Sequence, residues 1–169
     1  TRWRIYIDDV QDQVVERPGT LVNTFQDYYI GSYDGAQEFF DGMVDEIIVA
    51  PEPPLFAGWS MDGSGAQNRT ANTGLDITFH NFQGSFVPGV QSGVGQALRF
   101  NGVDQYATVS SSELRRDKIT AYLFFAAYRP HNGVGQVLLS CSQSEQGNHG
   151  SGWSLYLREQ QLHFKVNLK

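Results

Sequence analysis

"FFDGMVDEIIVAPEPP", residues 39–54, has the form of a strand brought to a stop. The apolar run ending in Ile47, Ile48 and Val49 meets Pro51, Pro53 and Pro54. Proline neither donates a ladder hydrogen bond nor leaves its predecessor free, so the run reads as the close of a folded unit. That close comes less than a third of the way along a chain of 169 residues, a length that suits one domain with its own core. The segment before it is too short to bury its own apolar faces, and its free edges would invite pairing, so it needs a complement.

Working outward, alternation dominates. In "RWRIYIDD" the set Trp3, Ile5, Ile7 opposes Arg4, Tyr6, Asp8; in "GWSLYLRE" Trp153, Leu155, Leu157 oppose Ser154, Tyr156, Arg158. In "QLHFKVN" Leu162, Phe164, Val166 oppose His163, Lys165, Asn167, and the short Glu159-Gln160 connection predicts a hairpin with both apolar sets on one face. "KITAYLFFAAY" is apolar on both sides and suits a central strand, covered on each face or partly by long loops. Further strands are expected near 28–30, 43–49, 55–61, 76–80, 97–100, 106–109 and 136–140, punctuated by "RPGT", "YDGAQ", "DGSG", "VPGVQSGVG", "NGVD" and "HNGVG". No helical periodicity lasts three turns; "SSSELRRD" offers one capped turn at most. Many short strands with regular turn signals make the chain all-β, a sandwich or barrel.

Composition agrees: 18 glycines and 22 aromatics suit strands joined by tight turns. A net charge of -6, with no Lys/Arg run longer than Arg115-Arg116, gives no footprint for a phosphate backbone and argues against nucleic acid. "AYLFFAAY" is far too short to span a bilayer, and no basic segment with a cleavage site opens the sequence, so membrane insertion is not expected. A single cysteine, Cys141, excludes an internal disulfide and a Cys-based zinc site and reads as a small buried hydrophobe. "NRT" from Asn68 to Thr70 would accept a glycan in a eukaryotic secretory setting.

The residues resemble a family, the concanavalin A-like jelly rolls of the laminin G/pentraxin type. "AGWSMDGSGAQNRTANTGLDITFHNFQGSFVPGVQSGVGQALRFNGVDQYATVS" looks like the opening of such a domain, with a first strand, a polar loop, a "G-x-ALxFNG" strand and a "D-x-Y-x-x-V" strand; "ITAYLFFAAYRP" and "GWSLYLREQQLHFKV" continue it. "WRIYIDDVQDQVV", "YYIGSY" and "FFDGMVDEIIVAPEP" look like its closing portion. The resemblance thus implies an antiparallel two-sheet jelly-roll sandwich in circularly rearranged order. Closing strands occupy 1–50, a Pro-rich link 51–54, and opening and central strands 55–169. One strand of the family pattern, between "HFKVNLK" and "RWRIYID", is missing. First and last jelly-roll strands commonly lie side by side, so a short link between them need not disturb the core. The two portions either close on each other or are halves of successive tandem repeats that complement a neighbouring copy.

The resemblance also implies a Ca²⁺ tying the opening polar loop to the closing strand, and a hard cation needs six to eight oxygens. Asp45, Asp62 and Asn72 are the matching positions, although "ANTG" carries fewer charges than the family pattern. The structural alternative is that Asp62 and Asp41 cap turns while Asp45 makes a strand-edge hydrogen bond. For sugar or protein recognition, loops offer aromatic faces beside polar groups: Tyr28, Tyr29, Tyr33 and Asp34 in "QDYYIGSYDG", His131 and Asn132 in "RPHNG". The alternative for each aromatic is ordinary core packing. Catalysis is not expected. No E-x-D-x-x-E strand occurs, Asp45 and Glu46 face opposite sides of a regular strand, and the four histidines lack metal-ligand spacing.

The expectation is therefore an extracellular or cell-surface, non-catalytic module for adhesion or carbohydrate binding. It would display loops 16–36, 62–75 and 129–152 to a glycan or protein, with calcium fixing one edge. The alternative is a structural repeat of an extracellular filament, self-associating by exchange of sandwich halves.

Overall fold

The structure, a computed structural model, describes residues 2–8, 10–16, 18–19, 27–52, 55–61, 67–68, 76–82, 86–89, 95–110, 120–128, 134–145 and 148–167. These residues form strands and turns, with no helix among them. In chain order the strands are β1 (Arg2–Ile7), β2 (Val10–Glu16), β3 (Tyr28–Ile30), β4 (Asp41–Glu52), β5 (Leu55–Ser60), β6 (Gln67–Asn68) and β7 (Thr78–His80). They continue with β8 (Phe86–Pro88), β9 (Gln96–Asn101), β10 (Tyr106–Val109), β11 (Thr120–Ala127), β12 (Gln136–Glu145), β13 (Asn148–Arg158) and β14 (Gln161–Asn167).

Two six-stranded antiparallel sheets dominate. One runs β14-β13-β12-β3-β10-β7; the other runs β6-β5-β4-β9-β8 with β11 joined to β4, while β1 and β2 make a separate two-stranded sheet. Alternation sets the register. Ile30 lies opposite Leu139 and Ala107, Ala107 opposite Phe79, and Leu155 opposite both Leu139 and Phe164, so one row of apolar side chains crosses the first sheet. The second sheet contributes Val44, Ile47, Val49, Trp59, Leu98 and Phe100 to the same buried cluster. Each such side chain contributes about 1.5–3 kcal/mol when fully buried, which is why one face of every strand must be apolar. Phe100 binds the layers together: its ring lies 6.2 Å from Phe40 and 5.3 Å from Phe82. Cys141 is buried within the same cluster, as expected of a lone apolar thiol.

The expected β13–β14 hairpin forms, with Arg158 opposite Gln161 and both Glu159 (φ 52) and Gln160 (φ 64) left-handed, the backbone of a two-residue turn matched to strand twist. Asn101 organises the "NGVD" turn: its Oδ1 accepts from the backbone N–H of Val103 and Asp104 at 3.0 and 3.2 Å, and its Nδ2 donates to Asp104 Oδ1 at 2.8 Å.

Three features depart from expectation. The strand around Ile47 does not stop at its first proline; β4 runs through Pro51 to Glu52, which pairs with Leu55 of β5. The ladder is irregular between Val49 and Glu52, so the missing donor falls where pairing is already interrupted. Nor is β4 regular at its centre. Glu46 has φ 46, and the register to β11 slips between Tyr122 and Phe124, a bulge that breaks simple alternation past Asp45. Finally, β11 is not central: among the described residues it pairs with β4 alone, leaving Tyr122 exposed. An all-apolar strand reads as doubly covered, but sheet margins are set by which partners are present. Residues 111–117, which carry the rest of "SSSELRRD" after Ser110, lie outside the described residues.

Candidate functional site

The register that turns apolar side chains inward brings a second set to the outer face of the first sheet. On β13 these are Ser154, Tyr156 and Arg158; on β14, His163 opposite Tyr156 and Lys165 opposite Ser154. Further along the same face stand Tyr29 opposite Thr108, and Tyr106 opposite His80. Two ring stacks reinforce it: Tyr156 on His163 at 5.1 Å and 12°, and His80 on Tyr106 at 4.3 Å and 6°.

The connection from β3 to β4, residues 31–40, folds back over this face and is fixed there by backbone bonds. Gly31 N–H donates to the Leu138 carbonyl at 3.0 Å, Val137 N–H to the Glu38 carbonyl at 2.9 Å, and Phe40 N–H to the Gly31 carbonyl at 2.9 Å. Buried Ser140 adds a side-chain anchor, its Oγ lying 3.1 Å from the Ser32 carbonyl oxygen and 2.9 Å from that of Tyr33. Gly31 makes the turn possible. Its φ of +79 is left-handed, and a Cβ there would strike the Phe100 ring. Asp41 N–H donates to Gln136 Oε1 at 3.0 Å where the loop re-enters β4.

Between this loop and β13–β14 lies an open cleft of about 270 Å³, a volume just below the usual small-molecule range. Tyr33 and Glu38 come from the loop, Val134 and Gly135 from the approach to β12, and Ser154, Tyr156, Arg158 and Lys165 from the sheet. Gly135 keeps it open, since a Cβ there would sit 3.3 Å from Tyr156 Cδ2 and 3.6 Å from the Glu38 carboxyl. Burial holds the Lys165 ammonium below its ordinary pKa of 10.5, opposed by the attraction of Glu38. On the other side of the loop, burial raises the Tyr29 phenol above 10.0, helped by the charges of Asp27, Tyr106 and Asp34.

The residues expected from sequence separate into distinct roles. Tyr28 is buried, edge-on to Trp153 with centroids 6.0 Å apart, and Tyr29 is half-buried on the outer face. Tyr33 is largely buried but contributes to the cleft wall. Asp34 organises its own turn, accepting from Ala36 N–H at 3.0 Å and Gln37 Nε2 at 3.1 Å. His131 and Asn132 lie outside the described residues; Val134 and Gly135, which follow them, line the cleft. Of the calcium set, Asp45 is buried in β4 opposite Phe124, while Asp62 and Asn72 lie outside the described residues. Among the described residues no group of three His, Cys, Asp or Glu side chains is placed to hold a metal ion.

Sequence reasoning passed over Glu38, Ser154, Tyr156, Arg158 and Lys165. The signal available was the polar face of the hairpin with an aromatic ring at its centre. That residues 31–40 would cross it has no signature in either segment. Comparison of the chain with known families, characterised proteins and solved structures finds no match.

Proposed function

We propose that this protein is a non-catalytic recognition module of the concanavalin A-like, laminin G type in rearranged order, acting outside the cell on a glycan or protein. The observation that carries the reading is the cleft on the outer face. An aromatic ring, a hydroxyl and charged groups converge there, on strands backed by a packed core and beside a loop pinned by hydrogen bonds. Binding at such a site needs preorganised stacking and polar groups, not a reactive pair. The pairing of β4 with β5 is in keeping with a jelly roll whose closing and opening strands are neighbours. In this reading Ca²⁺ would be held through Asp45 together with Asp62 and Asn72.

The test is a glycan and extracellular-protein array probed with the intact chain and with Tyr156→Ala. Binding that Tyr156→Ala abolishes supports the reading; ligands that bind both forms equally would place recognition elsewhere.

One observation favours the filament alternative: among the described residues β1 and β2 pair with each other and with neither large sheet. A lone two-stranded hairpin is marginal in water, and a neighbouring copy would give it a partner. Solution mass across a concentration series separates the cases. A constant monomer rejects exchange, and growing oligomers support it.

A further inference from the structure

We propose that the open margin of β11 is where a second copy of this chain docks, and that the strand it receives is the copy's β1, carried in with β2 as a hairpin. This rests on the filament alternative above and names the two edges that meet.

β11 is an unprotected margin. β4 pairs with β9 over 41–44, with β5 over 47–52 and with β11 across both stretches, so β11 has one side of β4 to itself. Among the described residues nothing pairs beyond it. The other outer strands are blunted by shortness, proline or charge: β6 has two residues, β7 three, β8 ends on Pro88, and β14 carries Lys165. β11 has eight residues, no charge and no proline, and none of the eight is buried. Leu123 and Phe125 pack on the core from a strand that leaves them half-buried. Tyr122, edge-on to Phe124 at 5.2 Å, is 42% exposed. A strand laid alongside would extend their cover and satisfy the row of N–H and C=O groups that faces away from β4.

The occupant is carried by the chain itself. Among the described residues β1 pairs with β2 alone, so its other edge is open too. Its sequence alternates Trp3, Ile5 and Ile7 with Arg4 and Tyr6, the period needed to continue a half-buried sheet. Charge selects β1 over β2. β4 carries Asp41, Asp45, Glu46 and Glu52 without a base, β11 is neutral, β1 carries Arg2 and Arg4 without an acid, and β2 carries Asp12 and Glu16. Docked through β1, the arginine strand stands two strand spacings, about 9–10 Å, from the acidic one; docked through β2, acid would face acid. β2 then becomes the outer strand, and its carboxylates discourage further pairing. A second β11 in that place would leave the hairpin as marginal as before. Because the two edges differ, the contact is head-to-tail: copies that exchange hairpins reciprocally close into a dimer, and others grow as a row.

The experiment is sedimentation equilibrium of the intact chain across a concentration series, with hydrogen exchange read at the lowest and highest concentrations. Mass should grow, and amide protection of 120–127 and of 2–7 should rise together with it. Tyr122→Lys places a cation on β11 against the incoming arginines, and Arg4→Glu removes the charge match with β4. Both positions are exposed, and each substitution should weaken association at least about tenfold. Thermal unfolding at low concentration checks that each variant folds, and Arg4→Glu carries the test if Tyr122→Lys does not. Growing mass that neither substitution changes would overturn the proposal and leave exchange standing through other edges. Protection that rises in β11 and not in β1 would overturn it in favour of β11 meeting β11. A constant monomer would remove the proposal and the filament alternative together.

Discussion

The imidazole of His80 lies flat on the ring of Tyr106, centroids 4.3 Å apart and planes 6° from parallel, with His80 Nε2 2.9 Å from Thr108 Oγ1. Tyr106 also approaches Tyr29 and Phe39, and a Cβ on Gly35 would come within 2.8 Å of its ring. The ring thus supports the loop that walls the cleft. Tyr106→Ala should destabilise by about 2–3 kcal/mol, less than a fully buried aromatic because the ring is half-buried. It should also raise amide exchange across residues 31–38. Urea unfolding and hydrogen exchange check both, and unchanged exchange in the loop would refute the supporting role.

Gly31→Ala should be among the most damaging single substitutions. A left-handed backbone disfavours any Cβ by about 1–2 kcal/mol, and the Phe100 ring has no room for one. We expect a loss of about 3 kcal/mol or more by equilibrium unfolding, with Gly31→Asn less severe in backbone terms but no better against Phe100.

Gly135→Ala tests the cleft independently of stability. The added methyl would press on Tyr156 Cδ2 at 3.3 Å and narrow the opening toward Glu38. Ligand affinity should fall while the melting temperature stays nearly unchanged. A large drop in melting temperature with intact affinity would contradict it.

Alkaline unfolding should separate two groups of opposite sign. Tyr29 keeps its proton in the folded chain above 10.0, so its contribution to stability is present below pH 10.0 and lost as pH rises through the raised folded value. Lys165 is depressed below 10.5, so its contribution is present above pH 10.5 and lost as pH falls through the folded value. In urea titrations from pH 8 to 11, Tyr29→Phe should flatten the fall above pH 10.0 and Lys165→Met should remove the rise toward 10.5. Variant curves parallel to the parent would reject the assignments.

The calcium site proposed at Asp45 has its own readout. Saturating Ca²⁺ against a chelator should raise the melting temperature by about 5–10 °C, since a ligand at a hundredfold its Kd adds about 2.7 kcal/mol. Asp45→Asn should abolish that shift. Equal melting temperatures with Ca²⁺ and chelator would exclude calcium as a structural component.

The strands were legible because a half-buried strand must alternate. Trp153, Leu155 and Leu157 against Ser154, Tyr156 and Arg158 announce β13 and its two faces, and Glu159-Gln160 announces its hairpin with β14. The turn at Asn101 was equally local, since one side chain satisfies successive backbone donors within four residues. Such features depend on neighbours in sequence.

What lay beyond the sequence depends on distant partners. "AYLFFAAY" carries no mark of a sheet margin, because which strand pairs on each side is decided by global packing. Glu46 is an unremarkable glutamate until β4 must accommodate β9, β5 and β11 together, and a bulge absorbs the mismatch. Tyr28 and Tyr29 are identical by type and adjacent, yet period two sends one to the core and the other to the outer face. The cleft is the clearest case. Glu38 and Lys165 are brought to one opening by a loop anchored on Ser140, whose bonds cross more than a hundred residues. The sequence by itself determined the strands, their turns and the sign of each face; only the tertiary structure decided which faces meet, because pairing over such separations is set by the packing of the whole core.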